Sequence, residues 1–391
     1  MNATGSLKVK KVVTADEGLH PDPEAEFTMN FTLTGKDGKP LDTNAEYSYT
    51  VTNADGNQAS PATIQNNGTF KLKDGQIAEI VGLPAGSNYT ITEETPPTGY
   101  AQTSITSDGK GTVAAGTAKE VTVTNTYKPK EIEVTPDNAD YPFDGEKILQ
   151  GRAWKANDKF TFQLQAVTDG APLPDTAAGN RYAECVVKDQ TGTTKGTPVK
   201  FDFGNVTFTK PGEYVYNITE VIPTDNEDKI AGVSYDSSSY SVTVTITDDG
   251  SGQLTMTGHT ITKDGAPADS VKFTNTYSTS GVKVTLKATK KLNVVVGNRT
   301  LNKDDFLFNL SENGKVIQTV PNDADGNVKF DLNFTSADVG KKTYVISEVN
   351  NHLGGIGYDT RTYEVTFNVE DKGEGKLVAS NPAYTLNDEP V

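Results

Sequence analysis

Three short sequence patterns place ionisable or amide side chains on strand faces that should be buried. The first is Tyr-x-Ile-x-Glu, which occurs three times and ends at Glu93, Glu220 and Glu348. Side chains alternate between the two faces of a strand, so the glutamate shares a face with the isoleucine. A carboxylate isolated on a buried face is costly and is pushed towards its neutral form. The pattern therefore predicts three core-facing glutamates with perturbed protonation.

The second pattern is a lysine in phase with apolar residues in the segment that opens each repeat. In one segment Leu7 and Val9 share parity with Lys11, and in another Leu286 shares parity with Lys290. The corresponding residue of the middle repeat is Lys147. Burial lowers the pKa of a lysine, so such a side chain can become a neutral amine and a nucleophile.

The third pattern is Val-x-Val-x-Asn or Val-x-Phe-x-Asn, which ends at Asn125 and Asn275. The asparagine again falls on the apolar face of its strand. Ordinary explanations exist for each residue type, since a strand lysine is usually solvated and an asparagine near a strand end usually caps a turn. The repeated order and parity favour a shared buried site, whereas the neighbours Lys10 and Glu94 have the wrong parity for one.

The elements that carry these residues are predicted to be β-strands. Period-two alternation of polar and apolar residues marks Tyr240-Ser-Val-Thr-Val-Thr-Ile246 and Tyr363-Glu-Val-Thr-Phe-Asn-Val369, among other segments. Turn signals such as Asp37-Gly38 and Asp249-Gly250 separate them. No long stretch has helical periodicity. The fold class predicted is all-β, with tandem immunoglobulin-like β-sandwich domains.

The spacing of the repeated patterns divides the chain into three units, at roughly 1–128, 129–278 and 279–391. A repeat longer than one hundred residues indicates tandem domains rather than a solenoid. The linkers Lys128-Pro-Lys130 and Ser278-Thr-Ser-Gly281 are too short for free tumbling, so we expect a semi-stiff rod.

Composition excludes several classes of function. The formal net charge of −16 disfavours nucleic acid and anionic membranes as partners. One cysteine cannot form an internal disulfide, and three dispersed histidines offer little for a metal or catalytic centre. No apolar run is long enough to insert into a membrane. The loop Asn322-Asp-Ala-Asp-Gly-Asn327 suggests calcium, but it lacks the closing glutamate and suits a hairpin turn. We expect neither metal nor cofactor.

In these patterns the chain resembles Gram-positive surface proteins whose immunoglobulin-like domains form internal Lys–Asn isopeptide bonds, above all the major pilins. Residues 129–278 resemble a streptococcal pilin isopeptide-linkage domain, through Gly151-Arg-Ala-Trp154, Phe208-Thr-Lys-Pro-Gly212 and the closing Phe-Thr-Asn-Thr-Tyr277. Residues 279–391 resemble a second domain of that type. Residues 1–128 are closer to the collagen-adhesin B-type repeat, with Val81-Gly-Leu-Pro-Ala-Gly86 before the glutamate pattern.

The resemblance implies particular roles for the residues of the first two units. Lys11 would pair with Asn125 and Lys147 with Asn275, while Glu93 and Glu220 would be the assisting acids. A protonated glutamate would donate to the amide oxygen and carry a proton from the amine to the departing ammonia. The reaction would occur once in each domain, so the protein is not expected to be an enzyme.

The third unit departs from the pattern. Lys290 and Glu348 are present, but aligning Val391 with Val271 places the expected asparagine beyond residue 391. We expect this domain to be truncated before its last strand, with Lys290 left as a free amine. A neighbouring molecule that supplies the strand is the alternative.

The function that the resemblance implies is structural: a stalk or shaft of a sortase-assembled pilus or wall-anchored adhesin on the bacterial cell surface. Its partners would be other pilin subunits. The alternative is an adhesin module that binds a host glycan or a matrix protein. A glycosidase would need paired carboxylates in a cleft, whereas the glutamates here occur once in each unit.

Overall fold

A computed structural model describes residues 3–177, 179 and 181–391, so Met1 and Asn2 of the predicted first unit lie outside the described residues. Strands account for 52% of the residues and helices for 3%. The strands form tandem β-sandwiches with separate hydrophobic cores. The predicted all-β fold class is confirmed.

The first sandwich packs a six-stranded sheet, in the order β4-β3-β6-β1-β10-β8, against a four-stranded sheet, β5-β2-β7-β9. Its core is formed by apolar residues such as Leu7, Val9 and Phe31. A 3₁₀ turn, Thr106–Gly109, connects β8 to β9. The strands are β1 Thr4–Ala15, β2 Phe27–Thr34, β3 Glu46–Thr52, β4 Ala62–Gln65, β5 Thr69–Leu72, β6 Ile77–Pro84, β7 Asn88–Glu93, β8 Tyr100–Ile105, β9 Lys110–Thr112 and β10 Ala118–Tyr127.

The second sandwich packs a four-stranded sheet, β15-β12-β22-β18, against a six-stranded sheet, β14-β13-β17-β19-β20-β21, with a small β11-β16 pair beside them. One 3₁₀ helix, Asp175–Ala177, precedes β14. The strands are β11 Ile132–Val134, β12 Asp144–Gln150, β13 Phe160–Ala166, β14 Tyr182–Val187, β15 Val199–Asp202, β16 Val206–Phe208, β17 Gly212–Val221, β18 Val233–Ser234, β19 Ser239–Asp248, β20 Leu254–Lys263, β21 Ala266–Ala268 and β22 Lys272–Tyr277.

The third sandwich has one large sheet, β25-β24-β27-β28-β30-β31 with β29 also paired to β28, and a second sheet of β23 and β26 alone. A 3₁₀ helix, Ser336–Asp338, precedes β27. The strands are β23 Val282–Thr289, β24 Leu307–Glu312, β25 Lys315–Pro321, β26 Asn327–Phe334, β27 Gly340–Glu348, β28 Thr362–Asp371, β29 Leu377–Ala379, β30 Ala383–Leu386 and β31 Glu389–Pro390.

Both alternating segments named from the sequence are strands, in β19 and β28. The predicted hairpin at 322–327 is wrong. This loop joins β25 in one sheet to β26 in the other, because β25 pairs with β24 and β26 pairs with β23. Asp323 closes the turn by accepting backbone N–H groups from Asp325 and Asn327.

No helix among residues 3–177, 179 and 181–391 is both long and apolar enough to cross a membrane.

Candidate crosslinking sites

In each of the first two sandwiches, the strand that carries the lysine lies beside the last strand and runs parallel to it: β1 beside β10, and β12 beside β22. In the first sandwich, the residue opposite Asn125 is Val13, two positions after Lys11. In the second, the residue opposite Asn275 is Leu149, again two positions after Lys147. The lysine and the asparagine thus share one face of one sheet in the same register in both sandwiches.

The glutamate comes from the facing sheet. Glu93 ends β7 and Glu220 lies near the end of β17, both opposite the sheet that carries the lysine. Each site is therefore enclosed between two sheets, where apolar neighbours exclude water. The lysine and glutamate side chains are at most 2% exposed in both sandwiches.

In the second site, the carboxylate of Glu220 bridges the two groups that would react. The Lys147 amine donates to Glu220 Oε2 at 2.7 Å, and the amide Nδ2 of Asn275 donates to Glu220 Oε1 at 2.6 Å. The carbonyl oxygen of Asn275 accepts the backbone N–H of Asp236 at 2.8 Å. The amine of Lys147, the carboxyl group of Glu220 and the carboxamide of Asn275 thus all have hydrogen-bond partners.

Burial sets the protonation of this site. It lowers the pKa of Lys147 to about 8, against the opposing effect of the Glu220 charge. It also raises the pKa of Glu220, although Lys147 and Asn275 partly offset the shift. Both shifts favour the neutral amine and the neutral acid over the ion pair, because a dry site disfavours either charge.

The first site has a different arrangement of hydrogen bonds. The Lys11 amine donates to Asn125 Oδ1 at 2.6 Å, and Glu93 Oε1 lies 3.3 Å from the amine without the geometry of a hydrogen bond. Both oxygens of Glu93 and the amide nitrogen of Asn125 are buried with no hydrogen-bond partner in the described part of the chain. Burial lowers the pKa of Lys11, with the Glu93 charge acting against it.

A phenylalanine ring covers the lysine amine in all three sandwiches. The Nζ atom lies 4.2 Å from the ring centre of Phe27 for Lys11, 4.5 Å from Phe160 for Lys147 and 4.3 Å from Phe306 for Lys290. The ring excludes water from one side of the amine and holds it towards the glutamate. A cation over an aromatic face is stabilised, which partly opposes the loss of the proton.

The third sandwich has the lysine and the glutamate, but within the part of the chain that the structure describes no strand takes the place of β22. The Lys290 amine lies 2.5 Å from Glu348 Oε1, and Glu348 Oε2 accepts the backbone N–H of Asp359 at 2.8 Å. The Lys290 side chain is 11% exposed and borders an open groove of about 730 Å³. Among the described residues, none of the hydrogen bonds of Lys290 joins it to an asparagine.

Strand pairing changes the alignment expected from the sequence. The turn after β30 matches the turn after β20, with Asn387 and Asp264 both in the left-handed region at φ 51° and 48°. Val391 is therefore level with Ala268 rather than with Val271. With either alignment, Val391 comes before the position that corresponds to Asn275.

A match to a family model identifies the family of the second and third sandwiches. Residues 143–278 and 286–390, more than half of the chain, match the model of FctA, described as a Spy0128-like isopeptide containing domain. The chain belongs to this family. Residues 5–127 match a domain of unknown function, DUF7601. The resemblance of the first sandwich to a collagen-adhesin B-type repeat stays a prediction.

Three of the similar proteins are pilins from Streptococcus pyogenes. A curated protein named pilin, from Streptococcus pyogenes serotype M1, is 30% identical over 171 residues, which are 42% of this chain and 46% of that protein. The chain thus matches less than half the length of this relative. The crystal structure of the major pilin from S. pyogenes is 23% identical, covers 62% of this chain and 91% of that one, and has a TM-score of 0.30. The S. pyogenes major pilin T-13 is 17% identical with a TM-score of 0.26, covering 66% and 95%.

Two groups in the second sandwich were not assigned a role from the sequence. One is the backbone N–H of Asp236, which contacts the carbonyl that would be attacked. The other is the ring of Phe160. A signal for the first was present, since Tyr235-Asp236 recurs as Tyr358-Asp359 at the same distance from the following Tyr. Side-chain types do not predict a backbone hydrogen-bond donor, so the repeated Tyr-Asp pair did not indicate a role in the site.

The structure also differs from the expected contact of the acid. A protonated glutamate donating to the amide oxygen was the expectation, but Glu220 contacts the amide nitrogen of Asn275. The amide oxygen is held by Asp236 instead. The carboxylate of Glu220 reaches from the facing sheet and contacts both the amine and the amide nitrogen.

Proposed function

We propose that the chain is a structural segment of a pilus or adhesin shaft whose first two sandwiches are closed by autocatalytic Lys–Asn isopeptide bonds, Lys11–Asn125 and Lys147–Asn275. One observation carries the proposal. Two sandwiches that match different family models place Lys and Asn in the same parallel register, facing a buried glutamate. Core packing alone gives no reason for that coincidence.

The chemistry in the second domain follows from the contacts of Glu220. The neutral Lys147 amine attacks the carboxamide carbon of Asn275, and the developing oxyanion is stabilised by the Asp236 N–H. The protonated Glu220 delivers its proton to Nδ2, with which it is already in contact, and accepts in exchange the proton that the amine loses. The C–Nδ2 bond breaks, one ammonia leaves, and one secondary amide remains.

Proximity supplies most of the rate in this scheme. Folding brings the amine and the carboxamide into contact, so no bimolecular encounter is needed, and this can lower the barrier by roughly 7–11 kcal/mol. The nucleophile is consumed, so each domain reacts once. Pilins are structural proteins rather than enzymes in the usual sense, and the single-turnover chemistry proposed here agrees with that role.

The organisation and location of the protein are part of the same proposal. The strands fall into three groups that fit domains at 1–128, 129–278 and 279–391, linked in a row. The curated pilin relative supports a surface location in a pilus and pilin subunits as partners. We also propose that the protein is attached to the cell wall by a sortase.

Intact-protein mass tests the proposal directly. Each bond releases one ammonia, so the folded wild-type chain is expected to be lighter than its sequence by roughly 34 Da for two bonds. In Glu220→Ala, the difference between the observed mass and the mass calculated from that variant's sequence should fall to roughly 17 Da, because only the second domain fails to react. Asn205→Ala, at an exposed asparagine of the same domain, is the matched control and should leave the loss unchanged. A wild-type mass equal to the unmodified sequence would refute the crosslinks.

The rate of bond formation in the second domain is expected to have a plateau that ends near pH 8. The reactive state holds one proton on the Lys147–Glu220 pair, with the amine neutral and the acid protonated. As pH rises above about 8 that proton is lost and Glu220 becomes a carboxylate, so the rate should fall about tenfold per pH unit. As pH falls through the raised pKa of Glu220, the pair gains a second proton and the rate falls again.

Chains that have never folded allow this measurement. Inclusion-body protein in denaturant is diluted into buffers from about pH 5 to about pH 10, and ammonia loss is followed by mass spectrometry. Glu220→Gln, which removes the titrating acid, is expected to react slowly at every pH. A wild-type rate that keeps rising well above pH 8 would mean that the proton on Glu220 is not required.

A further inference from the structure

The same junction is built twice between successive sandwiches, from residues that the crosslinks do not use. At the first junction, the hydroxyl of Tyr127 donates to Asp248 Oδ1 at 2.7 Å and accepts the backbone N–H of Gly252 at 3.3 Å. At the second, the hydroxyl of Tyr277 donates to Asp371 Oδ1 at 2.7 Å and accepts the N–H of Gly375 at 3.2 Å. Each tyrosine belongs to one sandwich, and each Asp–Gly pair belongs to the next.

The backbone repeats the match between the two junctions. Lys130, three residues after Tyr127, donates its N–H to Gly252 O at 2.9 Å and accepts the N–H of Leu254 at 2.9 Å. Ser280, three residues after Tyr277, makes the corresponding bonds with Gly375 at 2.9 Å and Leu377 at 3.0 Å. Both linkers thus form a parallel β-bridge with the next sandwich.

A pair of glycines lets the backbones meet at each junction. Gly99 faces Gly252, and a Cβ built on Gly99 would lie 2.5 Å from the Cα of Gly252. Gly232 faces Gly375, and a Cβ on Gly232 would lie 2.5 Å from the Cα of Gly375. All four have φ between 75° and 87°, where a side chain is also strained. A side chain at any of them would push the two sandwiches apart.

Two short sequence patterns, one on each side of the junction, occur at both junctions. The turns at 248–254 and 371–377, here called the receiving turns, both read Asp-x-Gly-x-Gly-x-Leu. The segment that each receives reads Asn-Thr-Tyr, followed by three linker residues. Because the two receiving turns lie in different sandwiches and have different flanking residues, their shared contacts point to a role at the interface.

We propose that each receiving turn is a docking surface for the end of an immunoglobulin-like domain that closes in Asn-Thr-Tyr and carries a glycine at the position of Gly99 or Gly232. The docked tyrosine fixes the angle and twist between neighbouring domains, so contacts rather than a short linker make the rod stiff. The tyrosine lies two residues after the crosslinked asparagine on the same strand. Load leaving one crosslink therefore enters the next domain at its receiving turn.

Spin-label distances test the docking in the full chain. Cys185 is first replaced by serine, and labels are then attached at exposed strand positions. The pair Glu46→Cys and Lys200→Cys measures the distance across the first junction. The pair Lys200→Cys and Glu364→Cys measures the distance across the second. Narrow distance distributions are expected in the otherwise wild-type chain. Tyr127→Phe should broaden the first distribution roughly twofold and leave the second narrow, because domain motion is the default once specific contacts are lost.

Matched variants separate docking from folding and from crosslinking. Tyr277→Phe should broaden the second distribution alone, and Tyr363→Phe, at a tyrosine outside both junctions, should change neither. Gly252→Ala should shift the mean of the first distribution, because its Cβ would lie 2.4 Å from Thr98 O. Every variant should keep the full ammonia loss, so a failure of the crosslinks is measured separately. Broad wild-type distributions, or narrow ones in both Tyr→Phe variants, would overturn the proposal.

Discussion

Under pulling force, the second domain of the wild-type chain is expected not to lengthen, whereas Asn275→Ala is expected to release the whole domain. Asn275 follows Lys147 by 128 positions. A chain of that length, fully extended, spans about 450 Å at roughly 3.5 Å per residue. Single-molecule extension traces should show a step near that size in the variant and no such step in the wild type.

The reason lies in which strands carry the load. The chain enters the second sandwich through the short strand β11 and then β12, and it leaves from β22; β12 and β22 are parallel neighbours. Without a covalent link, tension would pull them apart and expose the core. With Lys147 joined to Asn275, tension passes from one strand to the other through an amide bond. The residues between them then carry almost none of it.

The variant must be shown to fold for the comparison to hold. Asn275→Ala leaves the Lys147 amine and the Glu220 carboxyl group hydrogen-bonded at 2.7 Å, so these two buried polar groups keep each other as partners and circular dichroism should remain that of a β-sandwich. Asn205→Ala is the matched control and should stay inextensible. A wild-type second domain that gives the full step at the force of an ordinary sandwich would contradict a load-bearing shaft.

Much of this arrangement could be predicted from the sequence because period-two alternation fixes which side chains share a face. Parity separated Lys11 from Lys10 and Glu93 from Glu94, and the structure buries Lys11 and the Glu93 side chain. Tandem β-sandwiches followed from the same alternation together with regular turn signals. Which lysine meets which asparagine was implied by family resemblance, because parity does not reveal strand neighbours.

Other features depend on tertiary geometry that no local pattern encodes. Glu220 contacts the amide nitrogen of Asn275 rather than its oxygen, and the oxygen accepts the backbone N–H of Asp236, a residue distant in sequence. The Asp236 donor is a backbone group, so residue type does not predict it. The loop at 322–327 was predicted as a hairpin because Asp-Gly favours one, but a crossing between two sheets uses the same turn residues.

The two complete sites differ in a way that reaction would remove. In the first site, both Glu93 oxygens are buried without a donor, which costs roughly 1–3 kcal/mol for each unsatisfied group. Conversion of the Lys11 amine to an amide leaves one N–H on a nitrogen that lies 3.3 Å from Glu93 Oε1. The product also lacks the Lys11 amine, whose charged form is disfavoured by burial. The crosslink thus relieves part of the cost of burying these groups.

The third domain is expected to behave in the opposite way from the first two, with Lys290 remaining a free amine. Its amine contacts Glu348, and among the described residues no asparagine side chain hydrogen-bonds to it. After denaturation, an amine-acylating reagent should therefore modify Lys290 and leave Lys11 and Lys147 unlabelled, as mapped by peptide mass spectrometry. Labelling of Lys11 or Lys147 would show that the amine is free and that its proposed crosslink has not formed. A third ammonia loss, mapped to Lys290, would show that Lys290 has an acceptor.

The open groove beside Lys290 makes a further result expected from the same domain. In the second domain β22 lies between β12 and β18, and in the third the corresponding space beside β23 is the groove of about 730 Å³. A synthetic peptide with the sequence of residues 269–278, which contains Asn275, should bind there parallel to β23 because an unpaired edge accepts a strand. The Tyr384 hydroxyl, which accepts the Lys287 N–H at 2.8 Å, must move aside.

Binding of this peptide should raise the melting temperature of the third domain and yield a covalent adduct at Lys290 whose mass is the sum of both molecules less one ammonia. The same peptide with alanine in place of Asn275 should bind without forming the adduct, since it offers no carboxamide to the amine. Glu348→Gln in the protein should slow the adduct with little effect on binding, because the acid acts on proton transfer. An adduct with the alanine peptide, or no binding by either peptide, would show that the groove is not a strand site equivalent to that of β22.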